Sequence, residues 1–358
     1  MGSRVTTIKD VARLAGVAPS SVTRVLNKHP YVSEELATRV YKAVEELGYR
    51  PDLVAAGLRR GTSQTVGILV SDIINPSLAQ LVDGLETSLR DHGYSVLLAN
   101  SHGDPDRDVE SVELLRQRRI DGLVVMCVDE RSDALRDALV SWGGPLVLVD
   151  RQIEGLSAAS AVLSDHRRGA VQLTDHLLDL GHRKIGYLGG LTGTTYVWHE
   201  RVAGVTQAFE ARGLHRDAGT IKASRATSDN ASQATAELLD AADPPTAIIV
   251  GPNPMLAGAL LELRSRGLRV GDDIALGCLD ESPIAELYRP AITAVRRHID
   301  DVSRTAADLL LAQMGGDRQH FRTVVLPVEL LLRASTNDCP VPPEASAVKP
   351  RRRASSRA

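Results

Sequence analysis

Cysteine, aromatic residues and long apolar runs are all scarce in this chain, and each scarcity removes a class of protein. The three cysteines, Cys127, Cys278 and Cys339, are odd in number and stand at no metal-ligand spacing. A disulfide framework or a zinc site is therefore not expected, and the thiols suit a reducing cytoplasm. No apolar stretch approaches the roughly 20 residues that a membrane helix needs. The N-terminus lacks the charged-then-apolar order of an export signal, so a cytoplasmic protein without a membrane partner is expected. With aromatics at 3% of 358 residues, the core has to be built from Leu, Val, Ala and Ile. Signatures of catalysis are missing too. There is no nucleophile-elbow serine, Walker loop or metalloprotease helix, and Gly186, Gly189 and Gly190 are wrongly spaced for a dinucleotide fingerprint. His166, His176, His182 and His199 are scattered and read as caps or surface groups. Neither an enzyme nor a cofactor is expected.

What is present starts at Thr6. Ile8, Val11, Ala12 and Ala15 fall at helical spacing, with Thr7 as N-cap and Asp10 as its reciprocal partner. Gly16 supplies a turn, and Pro19 suits the first position of a second helix. Val22, Val25 and Leu26 face inward on that helix, leaving Ser20, Ser21, Thr23, Arg24 and Asn27 outside. Ser33 caps a third helix through Leu36, Val40, Ala43, Val44 and Leu47, which Gly48 ends. Three small helices with hydroxyls, an amide and a guanidinium on one face describe a helix-turn-helix that reads double-stranded DNA. Through Arg60 the chain holds ten Lys and Arg against six Asp and Glu. A near-neutral total therefore conceals a basic N-terminal segment.

From Thr65 the texture changes. TVGILVS, YSVLLAN, GLVVMCV and PLVLVD, and later KIGYLGG, TAIIVG and DIALGCL, are short continuous apolar runs separated by helical patterns. The alternation predicts two doubly wound parallel sheets with a cleft at their strand ends. Helices are expected at His166–Leu180, Arg201–Arg212, Asn230–Ala241 and Met255–Arg266. Asp150, Arg201, Asn253 and Asp280 all follow strands or open the next helix, where open sheets place ligands. Together they offer carboxylates, a guanidinium and an amide for bidentate bonds to vicinal hydroxyls. The tail from 337 to 358 carries Pro340, Pro342, Pro343 and Pro350, then KPRRRASSRA, and reads as disordered and basic.

The segments VARLAGVAPSSVTRVLN, VSEELATRVYKAVEELGYRPD and LGHRKIGYLGG resemble the LacI/GalR family of bacterial transcription regulators. The likeness extends to Ser335-Thr336. It implies an all-α helix-turn-helix headpiece (1–50), a hinge helix and linker (51–64) and a two-lobed periplasmic-binding-protein-like α/β core (65–336). The first lobe would comprise 65–161 and 292–322, and the second 162–291 and 323–336. It also implies that Pro19 and Ser20 choose operator bases, and that Thr7, Ser21, Thr23, Arg24, Asn27 and Ser33 hold phosphates and nearby base edges. Ala55 and Leu58 of the hinge would meet DNA, Leu58 wedged into the minor groove. For the effector it points to Asn75, Asp150, Arg201, Asn253 and Asp280. Trp198 stands in for a stacking aromatic that Cys278-Leu279-Asp280 lacks, or else forms the pocket rim. The tail has no leucine heptads, so a homodimer is expected. The expectation is a repressor of carbohydrate genes on a near-palindromic operator, released by a sugar or sugar derivative. The other reading is a sugar-binding protein of a transport system with no role on DNA.

Overall fold

The computed structural model describes residues 6–26, 29–49, 61–190, 195–215, 220–317 and 321–336. Asn27, Ala55, Leu58, residues 51–60 of the hinge helix and linker expected at 51–64, and the tail after 336 lie outside the described residues. The chain divides into two compact units, 1–63 and 64–358.

In the smaller unit, α1 (Ile8–Ala15), α2 (Pro19–Leu26) and α3 (Glu34–Glu46) follow the predicted pattern. Their shared core is Val11, Ala12, Ala15, Val22, Val25, Val40 and Ala43. The Asp10 carboxylate accepts from the Thr7 N–H at 3.0 Å and from its hydroxyl at 2.7 Å. Gly16 ends α1 at φ 64°, letting the Val17 N–H reach the Ala12 carbonyl at 3.0 Å. Arg39 of α3 adds a clamp that the sequence reading missed. Its Nη2 donates to the carbonyls of Ala15 (2.7 Å) and Gly16 (3.0 Å), satisfying acceptors that a helix end leaves open. A core of valine and alanine buries little area per residue, so such polar clamps weigh more here than in a large domain.

The larger unit holds two six-stranded sheets. The first contains β1 (Thr65–Val70), β2 (Ser95–Asn100), β3 (Gly122–Met126), β4 (Leu146–Val149), β5 (Ser160–Ser164) and β11 (Thr323–Leu326), in the order β11-β5-β4-β3-β1-β2 and wholly parallel. The second contains β6 (Ile185–Gly189), β7 (Ile221–Ala223), β8 (Ala247–Val250), β9 (Ala275–Cys278), β10 (Thr293–Arg297) and β12 (Val328–Leu331), in the order β12-β10-β9-β8-β6-β7. There only the β10–β12 pair is antiparallel. The central strands of each sheet are buried on both faces, which is why β3 and β6 read as unbroken apolar runs, while edge strands such as β2 stay partly exposed. Helices Pro76–Asp91 and Ile299–Met314 share one core of the first lobe. Helices Ser228–Leu239 and Asn253–Ser265 share one of the second.

The expected lobe boundaries are corrected by these pairings. Ser160–Ser164 completes the first sheet, so the chain leaves that lobe at Asp165 rather than at 161. Thr293–Arg297 pairs with β9 in the second sheet, moving the return crossing from 292 to about His298. Thr323–Leu326 pairs with β5 in the first sheet, and only Pro327 separates it from β12 in the second. Strands of four or five residues carry too little periodicity to show which sheet they join, and register decides that through partners distant in sequence. The helix at Tyr196–Ala211 also begins earlier than expected, capped by the Thr195 hydroxyl, so Arg201 lies in its second turn instead of opening it.

Candidate functional site

In the smaller unit, Pro19 takes the first position of α2, and Ala18, which brings no capping side chain, gives its carbonyl to the Ser21 N–H at 2.9 Å. Thr7, Pro19, Ser20, Thr23, Arg24 and Ser33 are exposed and Ser21 is half-buried. Ser33 caps α3 by accepting the Leu36 N–H at 3.3 Å. The Thr23 hydroxyl donates to the Pro19 carbonyl of its own helix at 3.1 Å, leaving its lone pairs outward. Val22 and Val25 anchor α2 from beneath, so its outer face is a rigid row of short polar side chains ending in a guanidinium. Among the α2 residues described, only Arg24 offers a full charge and a donor fork for phosphate or guanine.

The larger unit encloses a cavity of about 230 Å³ at the carboxyl ends of both sheets. Its walls include Asn75, Asp150, Trp198, Arg201 and Asp280 from the predicted set. Asn75 caps the helix Pro76–Asp91, its side-chain oxygen accepting the Ser77 N–H at 3.1 Å. Asp150 follows β4 in the left-handed region at φ 49°, a conformation Asp tolerates better than most residues. This turns its carboxylate toward the Ser164 N–H, 2.7 Å away.

The centre of the site is a buried ionic chain that crosses between lobes. Arg297, from β10, donates to Asp150 at 2.6 Å and lies 2.9 Å from Asp280 through Nε. Arg201 completes the chain on Asp280 at 2.8 Å. His166, the first residue of helix His166–Asp179, brings Nε2 to within 3.1 Å of Asp150. Burial pushes the Asp280 carboxyl up, but the guanidiniums of Arg201 and Arg297 more than offset it and hold it below its ordinary range. Burial likewise opposes ionisation of Asp150, and the His166 ring as a hydrogen-bond donor, the Arg297 guanidinium and the Ser164 N–H together hold its carboxyl far down. His166 is itself driven down by burial, more than Asp150 raises it, so its ring is neutral at neutral pH. Two carboxylates and two guanidiniums then balance.

Three expectations change. Asn253 is buried but does not line the cavity, and its amide spans the lobes to the Ser77 hydroxyl at 2.7 Å. From the first position of the helix Asn253–Ser265 it joins the lobes, in addition to the effector contact expected of it from the sequence. His166 is no surface group, since it forms part of the cavity wall, and His182 is fully buried with Nδ1 2.8 Å from the Thr246 hydroxyl. Arg297 was missed altogether. Two adjacent arginines on a strand read as solvent-facing, and nothing local shows that the second points inward. Trp198 lines the cavity with its ring edge-on to His199, centroids 5.2 Å apart.

One unit of three small helices with a polar outer helix, and a second, two-lobed unit around a polar cavity, define a regulator that couples DNA binding to a small ligand. Comparison with known proteins gives the same result. Residues 7–52 match the bacterial regulatory proteins of the lacI family, and residues 174–336 match a periplasmic binding protein-like domain. The HTH-type transcriptional repressor PurR of Aliivibrio salmonicida is 30% identical over 331 residues, covering 92% of this chain and 99% of the relative. PurR of Vibrio atlanticus is 32% identical over 320 residues, covering 89% and 94%. The transcriptional regulator CelR in complex with cellobiose superposes with a TM-score of 0.70 at 29% identity, over 92% of this chain and 99% of CelR. The Lac repressor bound to ONPG reaches 0.80 at 24% identity, over 93% and 100%, a likeness of fold. The chain belongs to the LacI family of bacterial regulatory proteins. It is a ligand-responsive, DNA-binding transcriptional repressor. No helix among the described residues is long and apolar enough to cross a membrane.

Proposed function

We propose that the protein acts in the cytoplasm as a homodimeric repressor, without enzymatic activity, that a sugar or sugar derivative releases from a near-palindromic operator. Two headpieces (1–50) contact the operator half-sites, since a protein dyad pairs with a DNA dyad. Residues 51–64 link each headpiece to the core, with Ala55 and Leu58 meeting DNA and Leu58 wedged into the minor groove. The observation that supports an effector of this kind is the chain Asp150–Arg297–Asp280–Arg201. It lines the cavity, spans both lobes and sets bidentate donors beside carboxylates, a pattern suited to vicinal hydroxyls. CelR, similar over nearly its whole length, is a complex with cellobiose. A ligand that rearranges this chain changes the angle between the lobes and with it the spacing of two headpieces. A coupling of about 1–3 kcal/mol is enough for a several-fold to hundredfold change in operator affinity. The transport-receptor alternative is not favoured, because a lacI-family headpiece precedes the sensing body.

The test is a thermal-shift screen of the full-length protein against mono- and disaccharides, acidic sugars, sugar phosphates and nucleosides, followed by mobility-shift assays with DNA flanking the gene. A sugar that raises the melting temperature and weakens DNA retardation is the expected result. Hits confined to nucleosides, or ligands that only strengthen DNA binding, contradict it.

A further inference from the structure

At the mouth of the cavity, Arg225 is set apart from the other cations of the wall. Arg201 and Arg297 share Asp280 and Asp150, and Arg151 lies 3.7 Å from Glu130. Arg225 has no carboxylate within ion-pair distance among the described residues. Its Nη2 instead reaches from the second lobe to the backbone carbonyl of His102 in the first, at 3.0 Å. The loop that carries it is pinned, for the Arg225 carbonyl accepts the Thr227 N–H at 2.8 Å and the Asn230 side-chain amide at 3.1 Å. The opposing turn is shaped around the guanidinium. Gly103 sits at φ 72°, and a Cβ there would stand 3.0 Å from Arg225 Nη2. Thr227, two residues on, lines the cavity and caps the helix Ser228–Leu239, whose positive end faces the same opening. The acid of the opposite wall, Asp72, is turned back on its own loop and accepts the Ile74 N–H at 3.1 Å.

A charged guanidinium resting on an uncharged carbonyl oxygen is under-used. Charge-assisted bonds to an anion are roughly twice as strong as bonds to a neutral acceptor. We propose that Arg225 is the residue that selects the effector's charge, exchanging the His102 carbonyl for an anionic group on the ligand. The effector is then an acidic sugar, its hydroxyls on the ionic chain and its anion at the mouth. This rests on the sugar reading of the cavity and narrows it. The anion is a carboxylate or a phosphate, which share this chemistry.

The experiment is calorimetric titration of the full-length protein with matched probes: glucose, glucuronate and glucose 6-phosphate, and the same three in the galactose series. The arms are run on the parent, Arg225→Ala and Arg225→Lys. In at least one series an acidic probe binds the parent tenfold or more tighter than its neutral counterpart, and the stronger acidic arm identifies the anion. Arg225→Ala abolishes that preference and leaves the ligand-free melting temperature within a degree because the side chain is exposed. Arg225→Lys keeps part of the preference. Neutral probes that bind as tightly as acidic ones overturn the assignment to Arg225 while leaving the sugar reading intact. An acid preference that survives Arg225→Ala overturns it equally. No binding in any arm overturns both.

Discussion

Replacing Arg297 by methionine removes the one cation that joins the two buried carboxylates, and the consequence can be worked through. With His166 neutral, the cluster of Asp150, Asp280, Arg201 and Arg297 carries no net charge. Without Arg297 it carries one uncompensated negative charge in a fully buried place. Removing one member of a buried pair costs about 3–5 kcal/mol. Asp280 keeps Arg201 and Asp150 keeps the Ser164 N–H, which puts the loss near the lower figure and the fall in melting temperature on the order of 10 °C. The pH dependence separates this cause from mere loss of packing. In the parent both carboxyls are held below their ordinary range. They therefore contribute stability that is present above the unfolded pKa of about 4 and is lost as pH falls through the folded values. In the variant, burial dominates and the carboxyls move up, so acid relieves the buried charge. The gap between the proteins should narrow as pH is lowered from 7.5 toward about 4.5, and Asp150→Asn should recover part of the loss at neutral pH. Calorimetric scans of the four proteins at both pH values provide the readout. A penalty of less than about 1 kcal/mol, or one that does not change with pH, refutes the account.

Other outcomes follow from the same reasoning. Arg24→Ala should weaken operator binding by about 1–3 kcal/mol in mobility-shift titrations and reduce the salt dependence of the remaining affinity. Gly258→Ala should destabilise the second lobe by more than about 2 kcal/mol in urea titrations, because its Cβ would fall 1.9 Å from the Ser228 carbonyl oxygen, where helices Asn253–Ser265 and Ser228–Leu239 touch. Arg39→Met should cost about 1–2 kcal/mol of headpiece stability by stripping the carbonyls of Ala15 and Gly16, with hydrogen exchange of α1 as the measurement.

The headpiece was legible almost residue by residue, because its information is local. Helical spacing, a capping serine, a glycine turn and a proline at the first helical position each act within a few residues. The sheets were legible as apolar runs, except where a strand is short or joins its lobe from far along the chain, as β10 and β11 do. At the site, Asp150 and Asp280 could be anticipated because each follows a strand end, and Arg201 because it lies near the start of the helix after β6, one turn further in than its spacing suggested. Arg297 and His166 could not, since their importance comes from two lobes meeting, and each residue alone resembles an ordinary surface group. Asn253 also follows a strand, yet its amide is engaged with Ser77 across the lobes, a partner 176 positions away that no local pattern reveals. Gly103 and Arg225 belong to the same category as Arg297, a pair 122 positions apart that only the meeting of the lobes explains.

The backbone passes from one lobe to the other at Asp165, around His298 and at Pro327, always beside the last two strands of each sheet. Three such ties side by side resist sliding of the lobes more than bending about the ties. Each tie is a single residue between two elements, and at Pro327 one backbone torsion is also locked by the ring. Any push that a guest molecule exerts between the lobes is therefore expressed mainly as a change of angle between them.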